Sequence, residues 1–187
     1  MKEEIKTPIR RMVQGLAHWM AYRAEMSSIQ LIEADAVFVA CDLMRAHLSN
    51  DDYCIEREIT KKSFPIIKDG KRIDVGVRRI SDNKYICLIE FKLADATNKG
   101  YEGDVEKLSQ LKHSNSDCEA IDCLVVILYR NPCVFTEPQV FLDNKGHAKS
   151  KGAMVDEKFP VKVKHVCTSF VSSTAPKSHK VICLELV

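Results

Sequence analysis

The sequence predicts one α/β domain in which helices flank a mixed central sheet, and three observations carry this. Two apolar-rich runs, 73–80 and 85–93, are separated by Ser81, Asp82, Asn83 and Lys84, residues that favour tight turns, so they pair as an antiparallel hairpin. Inside the second run, Ile86, Cys87, Leu88 and Ile89 are continuously apolar, the signature of a strand buried on both faces; the apolar run 121–129 reads as a further strand. Segments with apolar residues at helical spacing come before the hairpin and again between it and that later strand.

The elements follow in order. Thr7-Pro8 is a helix start, with Thr7 as N-cap and Pro8 at the first helical position, and Ile9, Met12, Leu16, Trp19 and Met20 form an apolar stripe. Ser27 and Gln30 fit a capping box that opens a second helix, with Ile29, Ile32, Ala36, Val39 and Leu43 at helical spacing towards Leu48, ending near Ser49. The N-terminal helices thus occupy 8–49, and a first strand follows over 53–61. After the hairpin, Asp104 caps a helix that carries Val105, Leu108 and Leu111. The order over about 29–130 is helix, three-strand meander, helix, strand (αβββαβ).

Residues 131–187 form an extension of strands and loops. From 145 to 187 it holds eight lysines against three acidic residues, which suits a surface that tracks phosphates. Residues 131–156, with Asp143-Asn144-Lys145-Gly146 as a turn signal, read as an inserted hairpin or long loop. In 159–163 the alternation sets Phe159, Val161 and Val163 on one face and Lys162 and Lys164 on the other. A loop over 172–178 precedes a closing strand at 181–186.

Composition narrows the class. At 187 residues and 45% hydrophobic content, the chain suits a single domain, 1–187, with a sizeable core. No run approaches a membrane span, and MKEEIKTPIRR has acids and no apolar signal core, so a soluble cytoplasmic protein is expected. Cys41, Cys87, Cys123, Cys167 and Cys183 sit in apolar patterns as reduced thiols. No C-x-x-C pair occurs, and His113, Cys118 and Cys123 do not match zinc spacing, so no zinc is expected. His18, His47, His165 and His179 lack a companion motif.

The chemistry concentrates in KRIDVGVRRISDNKYICLIEFK, residues 71–92. Side chains alternate along a strand, so Asp74 shares a face with Gly76 and Arg78, and Glu90 shares one with Leu88 and Lys92. A register that joins those faces brings Asp74, Glu90 and Lys92 to one end of the sheet. Two adjacent carboxylates repel and are expensive to bury without a cation, and hard oxygen ligands suit Mg²⁺ or Mn²⁺. The main-chain carbonyl of Phe91 is a further oxygen ligand, and Lys92 is a cation placed to orient a nucleophile or meet developing negative charge.

Asp74, fifteen intervening residues and then Glu90-Phe91-Lys92 resembles the core motif of the PD-(D/E)XK nuclease superfamily, with its restriction-endonuclease-like fold. Ile73 stands where the motif's proline would be, a loosely held position. The resemblance implies metal binding by Asp74 and Glu90, a role for Lys92 at the hydrolytic water, and hydrolysis of DNA, duplex or branched, that leaves a 5′-phosphate. Many relatives act as homodimers. It also implies an accessory glutamate on the helix before the sheet. Glu33, on the flank of that helix's apolar stripe, is one candidate, and Glu58 in the first strand is the other. Lys107 and Gln110 on the following helix, and Lys149, Lys151, Lys162 and Lys164 in the extension, are the candidate phosphate contacts. The alternative is a catalytically inactive module of the same fold that binds DNA or a protein partner.

Overall fold

The 73–93 hairpin lies inside a seven-stranded mixed sheet. The structure, a computed structural model, describes residues 1–25, 32–60, 62–64, 67, 71–94, 101–113, 121–129, 154–156, 161–170 and 178–186. The strands are β1 (Tyr53–Ile59), β2 (Ile73–Arg79), β3 (Lys84–Ala94), β4 (Asp122–Tyr129), β5 (Met154–Asp156), β6 (Val161–Phe170) and β7 (Ser178–Leu186). Their order across the sheet is β1-β2-β3-β4-β7-β6-β5. β3 and β4 pair in parallel, and every other neighbouring pair is antiparallel. A parallel pair needs a long crossover, and the helix α3 (Tyr101–His113) lies in that connection.

Both faces of the central strands are covered, which is why β3 and β4 read as continuous apolar runs. On one face Val75, Ile89, Phe91, Leu124 and Val126 pack with α1 (Glu3–Glu25) and α2 (Glu33–Arg45). On the other, Leu88, Cys123, Val125 and Ile127 pack with Val105, Leu108 and Leu111 of α3. The described cysteines are free thiols, and Cys41, Cys87, Cys123 and Cys183 are buried. Burial pushes Cys183 up to about 12. Among the described residues no helix is long and apolar enough to cross a membrane.

Several boundaries differ from the sequence expectation. α1 begins at Glu3, so Pro8 lies inside the helix and Thr7 is not its cap. The missing Pro8 N–H forfeits a bond to the Glu4 carbonyl. Burial of Ile5 and the ties of the Glu4 carboxylate to Arg79 (2.6 Å) and Tyr53 (3.2 Å) offset that loss. α2 spans 33–45 and ends in Ala46, short of Ser49; Ser27, Ile29 and Gln30 lie outside the described residues. Its buried stripe is Ala36, Val37, Ala40, Cys41 and Met44, while Ile32 is exposed, because it precedes the helix as an extended N-cap residue. At the α1–α2 contact a Cβ on Gly15 would stand 2.7 Å from the Leu43 methyls. α3 starts at Tyr101, so Asp104 is inside the helix and does not cap it. Ser178 belongs to β7, and the proposed turn at 143–146 and the loop 172–177 lie outside the described residues.

The outer end of the β1–β3 meander is tied by side chains. Tyr85 donates to Glu56 (2.5 Å), which also pairs with Arg78 (2.5 Å), and the Tyr85 ring lies over Gly76. A Cβ at Gly76 would meet that ring at 2.8 Å and Ile59 at 3.3 Å, whereas a Cβ at Gly103 of α3 meets nothing within 4 Å. Gly76→Ala is therefore expected to lower stability by about 1–3 kcal/mol, and Gly103→Ala to raise it by about 0.5–1 kcal/mol. Urea-unfolding midpoints of the two variants should move in opposite directions.

Candidate active site

The pairing of β2 with β3 ends at Val75↔Ile89, but β3 continues against β4 as far as Ala94↔Tyr129. Past Ile89 the β2-facing edge of β3 has lost its strand partner, and its N–H groups need acceptors. Two carboxylates supply them. Asp74 Oδ2 accepts from the Phe91 N–H at 2.7 Å, and Glu33 Oε2 accepts from the Leu93 N–H at 2.9 Å. A strand residue presents its N–H and C=O to the same edge, so the Phe91 carbonyl opens on this split as well. Continuing the register Gly76↔Leu88 and Val75↔Ile89 by one step sets Asp74 opposite Glu90.

Glu90 is 2% exposed, on a strand whose neighbours on both sides are apolar. Burial, and then the Asp74 charge, push its carboxyl up to about 9, even with Lys107 opposing them. Burial likewise raises Asp74; the Phe91 N–H opposes this, and the Glu33 charge adds to it. The two carboxyls lie close enough to influence each other's ionisation. Without further positive charge the pair therefore keeps a proton at neutral pH. The Lys107 ammonium lies against Glu90 Oε1 as an ion pair, although that buried oxygen has no well-aligned hydrogen-bond donor.

Helix α3 completes the surroundings. Asp104 and Lys107, one turn apart, face the sheet at this point, 3.6 Å from one another. Lys107 also donates to the Arg72 carbonyl at 2.8 Å, just before β2. Lys92 follows Glu90 on the same strand face and approaches Asp104 at 4.0 Å. The motif residues Asp74, Glu90 and Lys92 thus come together at one sheet end.

The two glutamate candidates separate clearly. Glu33, the first residue of α2, reaches the split, whereas Glu58 is an exposed residue with φ 57° paired to Arg72 at 2.7 Å. Gln110 is exposed and bonded to Glu106. Lys107 is engaged with Glu90 rather than standing free on an outer helix face. Lys162 and Lys164 are drawn to buried Glu185, at 3.7 and 2.9 Å, and the Met1 ammonium pairs with the same carboxylate. Lys149 and Lys151 lie outside the described residues. The sequence reading missed the facing of Asp104 and the Arg72 carbonyl; the i, i+3 spacing of Asp104 and Lys107 was the available signal.

Two neighbouring carboxylates and a main-chain carbonyl form a hard-oxygen donor set of the kind Mg²⁺ or Mn²⁺ accepts alongside water. The burial of Glu90 opposite Asp74 is the observation that fits a cation here. Among the described residues, no three acidic, histidine or cysteine side chains gather at one point. Comparison with protein-family models, curated proteins and solved structures finds no match for this chain.

The electrostatics have a signed consequence. A carboxyl raised from 4.5 to about 9 binds its proton more tightly when folded, so its stabilisation is full below about 4.5 and is lost as pH rises to about 9. In chelator, the melting temperature should fall across that window, and the fall should be steeper than in Glu90→Gln. Calorimetric melting of both proteins from pH 5 to 9 measures this.

Proposed function

We propose that this chain is a nuclease that hydrolyses DNA phosphodiester bonds with Mg²⁺ or Mn²⁺, built on a restriction-endonuclease-like core. The observation that carries this reading is the meeting of Asp74 and Glu90 where β3 outruns β2, with Lys92 two residues on. The succession α2, β1-β2-β3, α3 and β4, with an antiparallel meander and then a parallel fourth strand, supports it as the αβββαβ order the motif implies.

In this mechanism Asp74, Glu90 and the Phe91 carbonyl would hold the ion, which would supply polarisation of the phosphodiester and a lowered pKa for a coordinated water. Glu33 and Asp74 fix the frayed edge of β3 through its N–H groups, which keeps the Phe91 carbonyl and Lys92 in place. Lys92, steadied by Asp104, orients the attacking water and meets negative charge developing on the phosphate. The engagement of Lys107 with Glu90 favours a second reading, a module of this fold that binds DNA or protein without cutting it.

Cleavage of duplex, single-stranded and branched DNA separates the two. Metal-dependent cutting is expected in the wild type, with Asp74→Ala and Lys92→Ala each losing about a hundredfold or more in rate. Binding without cutting, unchanged by Lys92→Ala, would support the silent module instead.

A further inference from the structure

We propose that Lys107 is the resident counter-ion of the Asp74–Glu90 pair, holding the place of a divalent cation and giving it up when the ion binds. The inference rests on reading Asp74 and Glu90 as metal ligands, and it concerns what the site does before metal arrives.

Three contacts fix the ammonium. It lies against Glu90 Oε1, it donates to the Arg72 carbonyl at 2.8 Å, and it stands 3.6 Å from Asp104. It therefore bridges α3 to the start of β2 across the carboxylates. Glu90 is almost wholly enclosed while the Lys107 side chain is 22% exposed, so the lysine has a way towards water that the glutamate lacks. An ammonium and a divalent ion cannot share one buried oxygen, because their repulsion at a few ångströms is large where solvent screening is weak. Asp104 offers the displaced ammonium a partner on its own helix, one turn back.

Such an exchange makes metal affinity a difference between two cations. With Lys107 present the metal-free state is neutralised in part, and the ion gains only its advantage over the lysine. With Lys107 removed, the pair has lost its contacting cation, and only the proton it holds offsets the cost of buried charge in the metal-free state. The lysine would thus lower affinity for the ion while stabilising the empty fold, and it would release a positive charge near the mouth of the site upon loading.

The test is calorimetric titration of Mn²⁺ into the wild type and Lys107→Met, without DNA. The variant should bind about tenfold more tightly or better. On the wild type alone, reductive methylation followed by mass spectrometry should label Lys107 faster at saturating Mg²⁺ than in chelator. Lys112, which donates to the Leu186 carbonyl at 3.0 Å, serves as the reference on the same helix. Metal bound equally or more weakly by the variant, or Lys107 labelling unchanged at saturation, would overturn the exchange and leave the metal site standing. Failure of both proteins to take up metal would overturn the metal site and the exchange together.

Discussion

A carboxyl group buried on a strand covered from both sides, beside a second carboxyl, is the constraint on which this end of the molecule depends. Glu90 sits between apolar neighbours on β3, and in that setting its ionised form is costly without compensating positive charge. The elements around it respond. β2 stops pairing just before it, Asp74 turns to the Phe91 N–H, α2 sends Glu33 to the Leu93 N–H, and α3 brings Lys107 from the opposite layer. Asp74 and Glu33 satisfy N–H groups that the abrupt end of the β2–β3 ladder would otherwise leave without a partner, and Lys107 sets a positive charge against Glu90.

The architecture gives these groups rigid supports. The site is assembled from strands and the first two turns of two helices, rather than from long loops, so side-chain positions are set by packed elements. The Tyr85–Gly76 contact and the Glu56–Arg78 pair hold the meander at its other end. The helix in the β3–β4 crossover necessarily packs over the sheet, and its site-facing turn carries Asp104 and Lys107 together. One connection therefore supplies both the cover for the second core and the charges that meet Glu90.

Much of the strand arrangement was legible in the sequence. The hairpin stood out because alternation, a turn tetrad and a continuous apolar run agree, and the convergence of Asp74 with Glu90 follows from the register they imply. Helix ends were less legible. Pro8 argues for a start, yet burial of Ile5 and the Glu4 ties draw the helix on to Glu3. Helical spacing placed Glu33 only on a flank; its engagement with Leu93 is a contact between distant segments that no local pattern encodes. The same holds for Lys107, whose partner lies on another layer, and for Lys162 and Lys164, whose apparent basic face is answered by Glu185 on the neighbouring strand.

The central claim is that Asp74, Glu90 and the Phe91 carbonyl together form a divalent-cation site. The most direct measurement is a crystal structure grown with Mn²⁺, using its anomalous scattering to locate the ion. The account predicts one peak within coordination distance of oxygens from Asp74, Glu90 and Phe91, about 2.0–2.2 Å away. No peak there at saturating Mn²⁺, with Lys107 still against Glu90, would contradict it.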